Sequence, residues 1–155
     1  MSAVLTGDKI YSAFYDDSIE KAFLHSSTYA GNALCASAAL EALNLYEKEG
    51  IEEKVKNAGP LLLSLMDEIS ADSGALANVR GIGCVVAADI VNPQTGNSFP
   101  PERQTGFMFY QRAFRNGAFL RNLGDTIYFI PPLNTAKKTL LKLAKIAKKT
   151  LLEAV

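Results

Sequence analysis

The chain has 155 residues, 48% of them apolar, and its 16 Lys and Arg balance 16 Asp and Glu, so the formal net charge is zero. This composition is typical of a soluble globular protein with a buried core, and the balanced charge argues against nucleic acid as a partner. No apolar run is long enough to span a membrane, and the first residues lack a signal-peptide pattern. We therefore predict a cytoplasmic protein that binds small molecules or another protein.

The first third of the chain has few local partners for its apolar residues. Residues 2–6 are predicted to form a strand end, and Asp8 is predicted to cap a short helix that reaches about Tyr15. A long helix is predicted from Gly31 to about Glu49, with apolar side chains around much of its circumference. Such a helix needs close neighbours, so this third resembles the end of a preceding domain.

The middle of the chain predicts a helix followed by a strand. The helix covers about Ile51 to Ala71, and Gly59-Pro60 is expected to kink or split it. The strand is predicted over residues 79–91, "VRGIGCVVAADIV", because Val, Ile and Ala crowd this stretch.

The last third predicts two helices separated by a pair of strands. Residues 103–116 have the pattern of an amphipathic helix, and two short strands follow around a Gly-Asp turn. A final helix, capped by Asn134 or Thr135, runs to the terminus. These elements predict an α/β unit with a short, mainly antiparallel sheet.

The two cysteines give no sign of a metal site. Cys35 and Cys84 lie in apolar segments without CxxC spacing, and the chain has a single histidine, His25. Cys and His alone therefore cannot complete a standard zinc site. We predict no metal and two buried thiols.

Three hydroxyl residues, Ser26, Ser27 and Thr28, precede the long helix from Gly31. The unpaired N–H groups and positive dipole end of a helix favour an anion, and hydroxyls add donors for phosphate oxygens. The same residues are also suited to capping the helix. Local chemistry leaves both interpretations open, and His25 is interpreted as a packed or turn residue.

Arg121 stands in "FLRNLGD", at the end of a short predicted strand. Its planar guanidinium is suited to binding the carboxylate of an amino-acid or keto-acid substrate. The alternative is an exposed arginine paired with Asp125 across the turn.

The final helix carries six lysines and one glutamate. Leu140, Ala144, Ala147 and Leu151 form its apolar stripe, which predicts a docked helix with a solvated lysine face. A helix that binds a membrane surface or a calmodulin-type partner has the same pattern.

Three segments, "LHSSTYAGNALCASAALEAL", "VRGIGCVVAADI" and "LRNLGDTIYFIPPL", together resemble the C-terminal part of class III aminotransferases, pyridoxal-phosphate enzymes of fold type I. Within the class, the His-Ser-Ser opening and the Arg-x-x-Gly-Asp-x-Ile-Tyr pattern most resemble the diaminopelargonic acid aminotransferases of biotin synthesis. The resemblance covers essentially the whole chain. It implies that residues 1–48 are the tail of the large cofactor-binding domain with the interdomain helix, and residues 49–155 the small C-terminal domain.

The resemblance also implies roles for individual residues. Thr28 matches a threonine that reaches the cofactor phosphate from the neighbouring subunit, and Ser27 lies beside it in the same loop. Ser26 matches a position that lines the substrate pocket and is usually glycine. Arg121 matches the arginine that receives the substrate carboxylate. Ala33 replaces a common proline, which affects the helix entry more than the chemistry.

Transamination needs a lysine that forms the Schiff base with pyridoxal phosphate. The resemblance implies that this lysine lies upstream of residue 1, so no residue of this chain is predicted to be catalytic. We expect the chain alone to be inactive.

For the whole enzyme, the resemblance implies a homodimer that transfers an amino group from S-adenosylmethionine to 8-amino-7-oxononanoate. Two alternatives stay open. One is another class III ω-amino-acid or diamine aminotransferase. The other is a stand-alone binding module that uses the lysine-rich helix or an exposed dimer surface, for which salt-sensitive binding to anionic vesicles or nucleic acid is the expected sign.

Overall fold

A computed structural model of the chain describes residues 2–25 and 27–155. These residues form two compact units, an N-terminal unit that ends at Glu49 and a C-terminal unit that begins at Gly50. Among the helices of the described residues, none has both the length and the apolar character needed to cross a membrane.

The N-terminal unit is helical. Helix α1 covers Asp8–Phe14 and helix α2 covers Ala33–Lys48, with one 3₁₀ turn at Ile19–Lys21 between them. The predicted strand end at residues 2–6 is wrong, since this stretch is irregular and pairs with no strand of the described residues. Asp8 lies inside the first turn of α1 and does not cap it.

The N-terminal unit has no buried core among its described residues. The apolar side chains of α2 are exposed, for example Leu34 and Leu40. Cys35 is exposed as well, so its predicted burial is wrong, whereas Cys84 is buried as predicted. The physical reason is that the unit itself supplies no second layer to cover α2.

The C-terminal unit is a small antiparallel sheet with three helices. Its elements in chain order are α3 Ile51–Ser73, β1 Leu76–Ile82, β2 Val85–Ile90, α4 Thr105–Arg115, β3 Asn122–Leu123, β4 Thr126–Phe129 and α5 Lys137–Ala154. The strand order is β1-β2-β4-β3, and every neighbouring pair is antiparallel. The predicted α/β class with a short antiparallel sheet is confirmed.

The predicted single strand over residues 79–91 is instead a hairpin. Ile82 of β1 pairs with Val85 of β2, and the turn between them is Gly83-Cys84. Gly83 has φ +54°, a backbone conformation that residues with a Cβ rarely adopt. This glycine therefore allows the chain to reverse within an apolar stretch whose composition alone does not indicate two strands.

Of the kink or split predicted for α3 at Gly59-Pro60, the split is wrong, because the helix continues through both residues. Pro60 has no N–H to donate to the Lys56 carbonyl oxygen, and Lys56 is exposed, so water can satisfy this carbonyl. Gly59 is buried against the hairpin, and a Cβ at this position would lie 2.5 Å from the Gly83 carbonyl oxygen. Gly59 thus allows helix and hairpin to pack closely.

The core of the C-terminal unit lies between the sheet and its helices. It includes the fully buried side chains of Leu62, Met66, Phe109, Phe129 and Leu151. The predicted apolar stripe of α5 is confirmed, since all four of its residues are buried. The predicted cap is wrong: Ala136 precedes α5, and the Thr135 hydroxyl donates to the Pro132 carbonyl oxygen at 2.6 Å.

Candidate functional site

The hydroxyl segment before α2 forms a turn. The Ala30 N–H donates to the Ser27 carbonyl oxygen at 3.0 Å, and the chain reverses through Thr28 to Gly31. Gly31 has φ +70°. Ser26, predicted to line the substrate pocket, lies outside the described residues.

Helix α2 does not use Ser27 or Thr28 as its cap. Its first turn is capped by Asn32, whose Oδ1 accepts from the Cys35 N–H at 2.9 Å. The capping alternative for these hydroxyls is therefore wrong. Both side chains are exposed, and neither hydroxyl makes a hydrogen bond with any described residue. Two unused donors beside a capped helix start match the chemistry of a phosphate contact.

His25 is a turn residue with an aromatic neighbour. Its ring stacks on Phe23, with 5.6 Å between the centroids, and its backbone N–H donates to the Phe23 carbonyl oxygen at 2.8 Å. The predicted packed or turn histidine is consistent with this geometry.

Arg121 directly precedes β3 in the C-terminal unit. Its guanidinium makes no hydrogen bond or ion pair with any described residue. The alternative pairing with Asp125 is wrong: the two side chains form no ion pair, and Asp125 Oδ1 accepts from the Gly106 N–H at 2.7 Å. Arg121 therefore retains its charge and donors for a ligand.

Arg121 lines a pocket of about 580 Å³ whose other walls are mostly apolar. The apolar residues are Phe119, Leu120, Ile130, Pro131, Pro132, Leu140 and Leu143, and the polar ones are Tyr128, Thr135 and Thr139. A single cation beside apolar walls is suited to a carboxylate that is attached to an aliphatic chain.

Sequence reasoning missed the three hydroxyl residues of this pocket. For Tyr128 a signal was present, because it alternates with Ile127 and Phe129, which are buried in the core. Thr135 and Thr139 reach the pocket from the entry to α5, and no strand or helix periodicity marks them.

The strongest charge network lies on the sheet and outside this pocket. Asp89 accepts from both terminal nitrogens of Arg80 at 3.0 and 3.2 Å, from Asn78 Nδ2 at 3.0 Å and from Thr126 Oγ1 at 2.7 Å. The Arg80 hydrogen bonds, assisted by those from Thr126 and Asn78, lower the pKa of Asp89 from 3.8 to about 2. The network joins β1, β2 and β4, which indicates a structural role.

The predicted site residues fall in different units. Ser27 and Thr28 belong to the N-terminal unit and Arg121 to the C-terminal unit. Each group has hydrogen-bond donors that its own unit leaves unused.

Comparison with known proteins gives a family match over nearly the whole chain. The family model described as "Aminotransferase class-III" matches residues 1–151. Gamma aminobutyrate transaminase 1, mitochondrial, of Solanum lycopersicum is 30% identical over 155 residues, which cover 99% of this chain and 30% of that protein. Adenosylmethionine-8-amino-7-oxononanoate aminotransferase of Methanocaldococcus jannaschii is 29% identical over 156 residues, covering 99% of this chain and 34% of that protein.

The fold has a close counterpart among solved structures. The crystal structure of the Methanocaldococcus jannaschii adenosylmethionine-8-amino-7-oxononanoate aminotransferase matches with a TM-score of 0.86 and 28% identity, covering 96% of this chain and 34% of that structure. The chain spans about a third of the length of these relatives. The sequence-based resemblance is confirmed at the level of the family.

Proposed function

The chain belongs to the class III aminotransferase family, and we propose that it is part of an enzyme that transfers the amino group of S-adenosylmethionine to 8-amino-7-oxononanoate in biotin biosynthesis. The proposal depends most on one observation, the unpaired Arg121 guanidinium in a mostly apolar pocket. An acceptor with a carboxylate at the end of an aliphatic chain has the matching chemistry. The relative named adenosylmethionine-8-amino-7-oxononanoate aminotransferase supports the choice of donor and acceptor.

Residues 1–48 are assigned to the end of a large cofactor-binding domain and residues 49–155 to a small domain. The division of the chain between Glu49 and Gly50 supports this assignment. The exposed apolar surface of α2 is consistent with burial in a larger enzyme, here a homodimer in the cytoplasm.

The residues of the N-terminal unit fit a phosphate-bearing cofactor. Class III aminotransferases depend on pyridoxal phosphate, which supplies an electron sink that takes up an amino group and releases it to an acceptor. The free hydroxyls of Ser27 and Thr28 donate hydrogen bonds to phosphate oxygens, in the neighbouring subunit of the dimer, and so hold the group in place. Ser26 remains a predicted substrate contact.

The C-terminal unit binds and orients the acceptor. The planar fork of Arg121 engages both carboxylate oxygens, and the apolar walls of the pocket exclude water around the aliphatic chain. Orientation of the bound acceptor contributes to rate because it removes the entropy cost of aligning reacting groups in the transition state. No lysine of this chain is assigned the covalent role, so the residues named here bind and orient and do not form the covalent bond.

Another class III aminotransferase acting on an ω-amino acid is the second candidate. It is favoured by the gamma aminobutyrate transaminase relative, which matches this chain with 30% identity. An ω-amino acid also carries a carboxylate, so Arg121 serves either substrate. The amino donor therefore distinguishes the two functions.

Reconstitution tests the proposal. The chain is mixed with a separately expressed aminotransferase segment that carries the covalent lysine, pyridoxal phosphate is added, and both cofactor absorbance and amino transfer are followed. We expect transfer from S-adenosylmethionine to 8-amino-7-oxononanoate. Transfer from gamma aminobutyrate alone would favour the second candidate, and a complex that binds cofactor but transfers from neither donor would contradict both.

Two substitutions separate cofactor binding from substrate binding in this assay. Thr28→Ala is expected to weaken cofactor binding, with Ser18→Ala, another exposed hydroxyl of the same unit, as its control. Arg121→Gln is expected to raise the KM of the acceptor with cofactor binding unchanged. Arg115→Gln, also exposed and in the same unit, is the control for the loss of an arginine.

A further inference from the structure

Helix α4 begins without a cap of its own. The residue before it, Gln104, has φ +51°, and its side chain makes no capping hydrogen bond. The carboxylate of Asp125, from the β3–β4 turn, accepts from the Gly106 N–H in the first turn of the helix at 2.7 Å. A carboxylate at this position satisfies an unpaired N–H and interacts favourably with the helix dipole.

The contact between the β3–β4 turn and α4 depends on a glycine. A Cβ on Gly106 would lie 2.0 Å from the Gly124 carbonyl oxygen and 3.0 Å from Asn122 Nδ2. The backbone of the turn therefore rests directly on the backbone of the helix. From β3, Asn122 Nδ2 donates to the Gly124 carbonyl oxygen of the turn at 2.8 Å.

A second hydrogen bond holds the turn on its other side. The Ile90 N–H, at the end of β2, donates to the Asp125 carbonyl oxygen at 2.9 Å. Asp125 thus joins the turn to α4 through its side chain and to the sheet through its backbone.

Arg121 lies at the start of this anchored segment. Leu120, which precedes it, is buried with 3% of its surface exposed, and Asn122, which follows it, belongs to β3 and bonds to the turn through its side chain. The guanidinium makes no hydrogen bond or ion pair with the described residues, so no side-chain contact of that kind directs it. Its direction is set by the backbone on either side.

We propose that Asp125 is a positioning residue for carboxylate recognition, because it locks the β3–β4 turn onto α4 and thereby aims Arg121 into its pocket. This inference rests on the proposed role of Arg121. Asp125 itself touches no substrate. Its loss lowers the fraction of the chain in which the turn is docked, and the apparent affinity for a carboxylate falls by the same factor.

The test measures ligand binding to the 155-residue chain by NMR titration. The probes are nonanoate, which has a carboxylate on an aliphatic chain, and nonanamide, its neutral analogue. We expect Asp125→Ala to weaken nonanoate binding by up to about fivefold, the factor reached when a lost helix cap of about 1 kcal/mol acts entirely on the docking of the turn, with nonanamide binding unchanged. Asp125→Asn is expected to restore binding to within about twofold, because its Oδ1 still accepts from Gly106.

A matched control removes side-chain hydrogen bonds from the other end of α4. Asn116 Nδ2 donates to Thr150 Oγ1 at 3.0 Å and to Glu153 Oε2 at 2.9 Å. Asn116→Ala is expected to lower stability and leave nonanoate binding unchanged. If it weakens nonanoate binding as much as Asp125→Ala does, the effect is general destabilisation and the inference is overturned.

Arg121→Gln separates the inference from the proposed function. If Arg121→Gln leaves nonanoate binding unchanged, or if the chain does not bind nonanoate, the carboxylate role of Arg121 fails and the inference fails with it. If Arg121→Gln abolishes binding and Asp125→Ala does not weaken it, only the positioning role is overturned.

Discussion

The network around Asp89 predicts a stability contribution that depends on pH. The carboxylate accepts four hydrogen bonds from Arg80, Asn78 and Thr126, and its pKa is lowered from 3.8 to about 2. At about 1.4 kcal/mol for each unit of pKa, this difference corresponds to about 2.4 kcal/mol. The side chains of Asp89 and Arg80 are 30% and 51% exposed, so solvent screening reduces the expected contribution to about 1–2 kcal/mol.

Asp89→Asn removes the charge and keeps the size of the side chain. The amide N–H₂ then faces donors of Arg80 or Asn78, so at least one of their hydrogen bonds is lost. At neutral pH we expect the free energy of unfolding to fall by about 1–2 kcal/mol. Asp67→Asn, at an exposed position of α3, is the control and is expected to change it by less than about 0.5 kcal/mol.

The sign of the pH dependence follows from the lowered pKa. Because the folded state holds the proton less tightly than the unfolded state, the contribution of Asp89 is fully present above about pH 4. It is lost as the pH falls through the folded pKa near 2. Urea unfolding of both proteins, followed by circular dichroism between pH 7 and pH 2.5, measures the difference. A deficit in the variant that stays constant over this range would refute the electrostatic explanation.

Three further predictions concern packing and thiol chemistry. Gly59→Ala places a Cβ 2.5 Å from the Gly83 carbonyl oxygen. We expect the free energy of unfolding, measured in urea, to fall by about 1–3 kcal/mol despite the better helix propensity of alanine. A stabilised variant would contradict the close packing of α3 on the hairpin. Leu62→Ala, at a residue with no exposed surface, is expected to lower the free energy of unfolding by about 2–5 kcal/mol. Leu152→Ala, at a residue with 53% of its surface exposed, is expected to lower it by less than about 1 kcal/mol. Equal decreases would show that the core is not where the structure places it. In the folded chain, Cys35 is expected to react with a thiol reagent at once and Cys84 only after urea unfolding, and equal rates without urea would contradict the burial of Cys84.

Most elements of the C-terminal unit follow from local patterns. The apolar stripe of α5 recurs at helical spacing, and the two strands around Gly124-Asp125 are marked by their turn. The hydroxyl segment and Arg121 were identified as candidate binding residues from residue type and position alone. Their roles in cofactor and substrate binding stay predictions.

Other features depended on contacts between residues far apart in sequence. The chain reversal at Gly83 is stabilised by the pairing of β1 with β2. The continuity of α3 through Pro60 is stabilised by tertiary packing that includes the contact of Gly59 with Gly83. Local propensity therefore indicated a single strand and an interrupted helix. Tertiary contacts outweighed both local preferences because the hairpin and the continuous helix bury apolar area against distant residues, which a short window of sequence does not include.

The family, the fold class and the candidate binding residues could be inferred from residue types at fixed spacings. Which hydrogen-bond donors already have a partner became visible only in the folded chain. Asn32 caps α2 and leaves Ser27 and Thr28 without that role, and Asp125 bonds to Gly106 and leaves Arg121 unpaired. Hydrogen-bond partners can lie far apart in sequence, so an unpaired donor is identified only when the positions of all possible acceptors in the fold are known.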